Sequence, residues 1–594
     1  MIKKTVYSFA LLYSAAFPFT SFAQNPQATS TENKEWVIKS NRYTKLIIDI
    51  DEKYSPEFGS EQGLAFYDTL ISVPTLANKE AERKDRLNAV NILKASKQKE
   101  TNLAVNQDLD ILIYQTELGF RKNDFEFDKE VTYNNATNTV FDGIQTLLDD
   151  QMPAERRSAA LVRLRKYAGM EKGYEPIATI LKKRTISQMN KPGMIYPSKQ
   201  KMEVTLSHNA SMVEGIQELC IKYKISGWEE PYDMIKKQLE DYDKWVTATV
   251  LPKARIDFRL PAEEYKLALE GYGVDIPPAD LAKMAHATFT SIQEQMKVLA
   301  AIIAKKNKLP SNDYRSVIQF LKKDQLTGDS IMVIYKTHLA DIENIIRMRH
   351  LVSLPNREAI IRLASAAETA QQPAPHMVPP PFLNNTGQRG VFVLPLNLPT
   401  APGEKTDKYD DFTFDAASWT IIAHEVRPGH ELQFDKMVEE GVSQARALYA
   451  FNSTNVEGWA LYAEYITLPY MPIEGQLVSL DYRLLRAARA FLDPELQAGT
   501  ITQDQAMDVL MKDVICSHAM AKQEVERYTL RAPGQANSYY YGFINMIELR
   551  KDTEKALGTK FNQLNFHDFI LSQGILPPAL IRGAVMGEFV AKEK

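Results

Sequence analysis

The sequence predicts a mainly α-helical, multi-helix protein with a small β element just before a histidine motif. Long stretches carry apolar residues near the helical period, a proline-crowded break cannot be helix, and a short apolar run follows that break directly.

The elements are justified in chain order. Lys3 and Lys4 precede "VYSFALLYSAAFPF", and Ser21 and Ala23 hold the small-residue positions of a cleavage site. Residues 1–23 therefore read as a secretory signal peptide cut near Ala23. The apolar run of about 14 residues is shorter than the roughly 20 that span a bilayer. No stable membrane anchor is expected after cleavage, and the mature chain is expected to be exported, periplasmic or secreted. Residues 24–35 are polar and read as a disordered spacer.

Residues 36–370 read as a helical N-terminal region. Leu87, Val90, Ile92 and Leu93 recur near helical period, and "PPADLAKMAHATFTSIQEQMKVLAAIIAKKNKLP" is clearer still. Pro277 and Pro278 lie where a helix begins, Asp280 sits in its first turn, and Lys305 and Lys306 close it before Pro310. Met284, His286 and Met296 fit core or solvated positions there. "NKPGMIYPSKQKM" is a turn-rich connection. "QQPAPHMVPPPFLNNTGQRG" opens the region 371–594, expected to carry the chemistry, and the two regions are expected to build one unit. Val391–Leu394 is the strand candidate, able to hydrogen-bond an extended peptide as an edge strand would. Helical text resumes from 415, interrupted near "LPYMPIEG", "RAPGQ" and "QGILPPAL", with no fixed-period repeat.

A formal net charge of −4 offers no basic face for phosphates, so no nucleic-acid partner is expected. Cys220 and Cys516 are the chain's cysteines; they exclude a disulfide framework and read as separate buried thiols.

The chemistry centres on "AHEVRPGHELQ". His424 and Glu425 begin as the H-E-x-x-H helix of zinc peptidases does, but the second histidine, His430, arrives two residues late. Six residues on an ideal helix put the two about 120° apart, so an unbroken helix fails as a metal site. Pro428 removes the donor to the His424 carbonyl and Gly429 tolerates unusual backbone, so a bulge there returns His430 to His424. In "FNSTNVEGWALYAEYITL", Glu457, Leu461 and Glu464 share one stripe, beside an apolar face of Trp459, Ala460 and Ala463. Carboxylates on so apolar a helix are either solvated or paired with a cation. Glu457 is assigned as the third ligand and Glu464 as the partner that orients a histidine.

"HEVRPGHELQ", "NSTNVEGWALYAE" and "RAARAFLD" followed by "PGQANSYYYG" resemble, in that order, a bacterial family known as domain of unknown function 885. Its members look like exported or lipid-anchored zinc metallopeptidases related to the gluzincins, and the resemblance covers roughly residues 140 to 590. It implies a metallopeptidase-like fold, and size and helical content, by analogy to helical peptidases, favour a deep cleft that admits short peptides. It also implies one zinc ion on His424, His430 and Glu457, with Glu425 as general base. Tyr539 stands where the family has a tyrosine after "PGQA", and is expected to stabilise the oxyanion, though core packing is open for it as for Tyr540 and Tyr541. Arg486 and Arg489 fit either a substrate carboxylate or a bridge to Asp493; with Gln433 they complete the supporting set. Two histidines and a carboxylate also describe a non-haem iron enzyme, and an inactive peptide-binding protein on the same scaffold is the other alternative. Glu425 favours hydrolysis, which uses a base beside the first ligand.

Overall fold

Side-chain caps set many of the helix starts in the computed structural model. It describes residues 35–148, 152–364, 374–380, 382–383, 385, 387–395 and 409–594. The expected signal peptide, most of the spacer and much of the proline-rich segment lie outside the described residues. The chain forms two units: one runs to Phe258, the other from Arg259 to Lys594 apart from two three-residue segments.

In the first unit α1 (Glu35–Tyr54), α2 (Leu76–Lys97) and α3 (Leu103–Lys129) pack on one another. Arg86 of α2 is buried between Asp51 of α1 and Glu82 of its own helix, at 2.7 and 2.9 Å. Thr75 and Asn102 cap α2 and α3 by accepting from backbone N–H groups, each worth about 1 kcal/mol. A second layer holds α4 (Ala136–Gln145), α5 (Ala159–Tyr167), α6 (Ile177–Met189), α7 (Lys199–Lys222) and α8 (Glu229–Thr249). Val140, Ile144, Leu164, Leu181, Leu239 and Val246 make its core.

After a short helix at Ala262–Gly271, the second unit continues with α9 (Pro278–Asn307), whose first-turn proline and terminal lysines agree with the sequence expectation. It runs along α14 (Ile473–Ala498). Between lie α10 (Asp329–Met348), strands β1 (Ile360–Leu363), β2 (His376–Val378) and β3 (Val391–Leu394), then α11 (Asp415–Glu425), α12 (His430–Glu439) and α13 (Ser453–Thr467). The unit closes with α15 (His518–Glu526), α16 (Asn537–Leu557) and α17 (Gln563–Ser572), before shorter helical pieces. Helix α11 is buried from Ala416 to His424 because it packs on α10, α13 and α14; a helix apolar on most sides belongs inside.

One expectation is corrected here. Strand β3 is the central strand, parallel to β1 and antiparallel to β2. Its backbone groups face neighbours on both sides, so it cannot receive a peptide as an edge strand would. Cys220 and Cys516 are both free and buried, as the sequence reading has them. Among the described residues no helix is long and apolar enough to cross a membrane.

Candidate metal centre

The late histidine is brought back by ending one helix and starting another, not by bulging a single one. Val426 leaves helical geometry at φ −112°, ψ −89°. Arg427 N still reaches Ile422 O at 3.1 Å, the Arg427–Pro428 peptide is cis, and α12 starts at His430. Gly429 is required by space rather than by dihedral freedom: a Cβ there would lie 1.8 Å from the His424 carbonyl oxygen. Trp459 Nε1 donates to Pro428 O at 2.9 Å and so holds the turn against α13. The two imidazoles finish 4.8 Å apart between centroids, with planes at 85°.

Helix α13 supplies the carboxylates. Asn452 caps it by accepting from Asn455 N at 2.7 Å. It crosses α16 at Gly458 and Gly542, where a Cβ on Gly458 would come within 2.6 Å of the Gly542 backbone. Glu457 Oε2 lies 3.5 Å from Nε2 of His424 and 3.5 Å from Nε2 of His430. One donor atom from each of the three residues fits within 4.8 Å of the others. Glu464, two turns on, meets His424 Nδ1 at 2.7 Å and accepts from the Thr420 hydroxyl at 2.8 Å. That contact gives His424 its Nδ1–H tautomer and leaves Nε2 to face Glu457. Arg486 Nη2 stands 3.5 Å from Glu464, and its Nη1 donates to Tyr482 O.

Burial would raise the Glu457 carboxyl pKa, but the two imidazoles that face it hold it well below the usual carboxylate range. Burial would lower His424, yet Glu457 and Glu464 outweigh it and raise it to about 9. Glu425 is pushed up by burial, and its Oε2 is buried with no hydrogen-bond partner.

This cluster fits a metal ion. Buried Glu457 Oε2 has no hydrogen-bond partner, although two imidazole nitrogens face it. Atoms bound tetrahedrally to one zinc at about 2.0–2.1 Å stand about 3.4 Å apart, close to both His–Glu457 separations of 3.5 Å.

The other anticipated residues divide. Tyr539 is buried near the cluster: its hydroxyl accepts from Arg527 at 3.0 Å, and Arg489 and Arg527 lie over its ring. Burial raises its pKa, so the phenol stays protonated at neutral pH. Tyr540 and Tyr541 bond instead to Thr288 and Asp275. Gln433 donates to Asn455 Oδ1 at 3.0 Å, joining α12 to α13. Arg489 does not bridge to Asp493; it grips Glu524 through Nε and Nη2, both at 2.7 Å.

Sequence reasoning missed a buried ion network behind α12. Arg427 meets Glu431 at 3.0 Å and Glu343, and Arg357 meets Glu431, Asp435 and Glu439. Asp435 also accepts from Gly390 N at 2.7 Å, which ties the sheet to the helix that carries His430. The spacing of Glu431, Asp435 and Glu439, four apart on one helix face, with Arg427 four residues before them, was its available signal.

Fold and site together define a predominantly helical protein with a candidate two-histidine, one-carboxylate metal site beside a small mixed sheet. The chain belongs to the family described as bacterial protein of unknown function (DUF885), whose model matches residues 56–585. It is similar in structure to a candidate lipoprotein of unknown function from Shewanella oneidensis, with TM-score 0.73 and 18% identity, over 93% of this chain and 100% of that one. A candidate lipoprotein from Colwellia psychrerythraea gives TM-score 0.67 and 16% identity, over 94% and 98%. No curated protein matches the chain.

Proposed function

We propose that this chain is an exported, zinc-dependent hydrolase that cleaves peptide bonds of short peptides. The carrying observation is the cluster of His424, His430 and Glu457 with the unpaired Glu425 carboxylate oxygen beside it. His424, His430 and Glu457 would hold one ion, which when bound supplies Lewis acidity toward water and the scissile carbonyl. Glu425, its proton affinity raised by burial, accepts the water's proton and delivers it to the leaving amine. Tyr539, a protonated phenol, donates to the developing oxyanion. Glu464 fixes His424, and Arg486 in turn holds Glu464. A deep cleft that admits short peptides is supported by the size and helical content of the chain, by analogy to helical peptidases. Export is supported by the leader-like N-terminus and by the likeness to two candidate lipoproteins.

The coarser reading, a metal-binding protein without peptide hydrolysis, rests on the same cluster, and the similar structures carry no stated activity. Glu425 separates the two. A peptide-library digest by the zinc-loaded protein, repeated with Glu425→Gln, is expected to show cleavage that the variant loses. Stoichiometric iron without zinc, or no cleavage of any library member, would reject the hydrolase.

A further inference from the structure

Two guanidinium groups share one carboxylate beside Tyr539. Arg489 occupies both oxygens of Glu524 at 2.7 Å, and Tyr528 donates to the same group at 2.7 Å. Arg527, one turn after Glu524, reaches it only at 3.5 Å. Among the described residues the other polar contacts of Arg527 are neutral: the Gln535 side chain and the Tyr539 hydroxyl. Asp493, nearby, accepts from Tyr265 OH and Gly534 N at 2.8 Å and forms no ion pair with either arginine. Arg531 adds another cation, paired loosely with Glu526 at 3.9 Å. Among the described residues Arg527 thus has no carboxylate of its own within ion-pair distance in a largely buried place, an arrangement that favours an anion. The arginine side chains are 8% and 22% exposed for Arg489 and Arg527, so Arg527 is the one a ligand reaches.

Its location is tied to the metal cluster. Ser453 Oγ, one turn before Glu457 on α13, meets Ser538 Oγ at 2.7 Å and accepts from Gln535 Nε2 at 3.0 Å. Tyr539 follows Ser538 and carries Arg527 over its ring at 5.2 Å. The cation therefore stacks on a phenol whose neighbour Ser538 is bonded to the helix that carries Glu457.

We infer that Arg527 binds the free C-terminal carboxylate of a peptide, so that the site works from the C-terminal end of its substrate. A guanidinium fork matches a planar carboxylate with two parallel hydrogen bonds. The cleavage half of this inference rests on the hydrolase reading: one water is consumed, its oxygen bonding to the acyl carbon as the C–N bond breaks, one proton passing to the leaving amine and the other leaving the new carboxyl group. Carboxylate binding does not rest on it.

The test is isothermal titration of the zinc-loaded Glu425→Gln protein with one tetrapeptide as free acid, as C-terminal amide, and as an amide whose last residue is glutamate. The free acid is expected to bind about 10- to 100-fold more tightly than the plain amide, the range of a charge-assisted contact. Adding Arg527→Gln should erase that preference. Arg527→Lys, which keeps the charge and loses the fork, should retain part of it, and serves if the glutamine variant does not fold. Equal affinities for acid and amide, or a preference that survives both substitutions, overturn the inference. A glutamate amide that binds as the free acid does makes the source a side chain and overturns the C-terminal assignment. Wild-type cleavage is read separately. Acid-selective binding with no cleavage rejects the hydrolase and keeps the Arg527 subsite; cleavage of acid and amide alike rejects the subsite and keeps the hydrolase.

Discussion

Substituting alanine for Gly429 puts a Cβ 1.8 Å from the His424 carbonyl oxygen and 2.4 Å from its carbon, where ordinary contact begins at 3.4 Å. Both clashing atoms are backbone, so no side-chain rotation relieves them. The helix ends must separate by more than about 1 Å, whereas metal–ligand distances hold to about ±0.2 Å. Overpacking of this kind costs about 1–3 kcal/mol of stability. The loss in zinc affinity should be larger than the roughly 10- to 100-fold that follows loss of an orienting partner, since a ligand itself is displaced. Competition against a chromogenic chelator measures the affinity, and a thermal melt monitored by circular dichroism verifies the fold. Gly583→Ala is the control, because a Cβ there meets nothing within 4 Å. Zinc affinity within about threefold of wild type in a folded Gly429→Ala protein would refute the claim that close approach at this glycine assembles the site.

Glu425→Gln should keep zinc but lower peptide hydrolysis about 10²- to 10⁴-fold, the usual worth of a general base; assay and metal analysis on one preparation check both. Glu464→Gln should weaken zinc binding about 10- to 100-fold through the loosened His424 ring, read by the same chelator competition. Glu524 gives a pH dependence. Burial would raise its carboxyl pKa, but Arg489 and Arg527 bring it down to about 2 from 4.5. A depressed carboxylate stabilises the fold above its unfolded pKa, and that stability is lost as pH falls from about 4.5 toward 2. By linkage the loss is about 3 kcal/mol. Denaturant unfolding of wild type and Glu524→Gln at pH 5 and pH 3 should show a smaller acid loss in the variant; identical losses would contradict the assignment.

Local features were legible in the sequence, and features made by packing were not. Helix α9 announced itself through Pro277, Pro278, Asp280 and its terminal lysines, all within one segment. The candidate ligands lie between positions 424 and 457, so a motif, a break and the next helix contained them. Strand β3 was legible, but its central place was not, because its parallel partner β1 comes from before the proline-rich segment. The ion pairs were least legible. Arg427 with Glu343, or Arg489 with Glu524, are matches among 71 basic and 75 acidic residues. Only the packing of helices selects between such candidates, and Arg489 accordingly chose Glu524 over the nearer-in-sequence Asp493.

The most direct test of the central claim is elemental analysis of the purified chain beside a His424→Ala, His430→Ala double variant. The predicted result is about one zinc per wild-type chain and almost none in a folded double variant. Zinc bound equally by both proteins, or a wild-type chain that takes up no metal from a zinc-containing buffer, would contradict it.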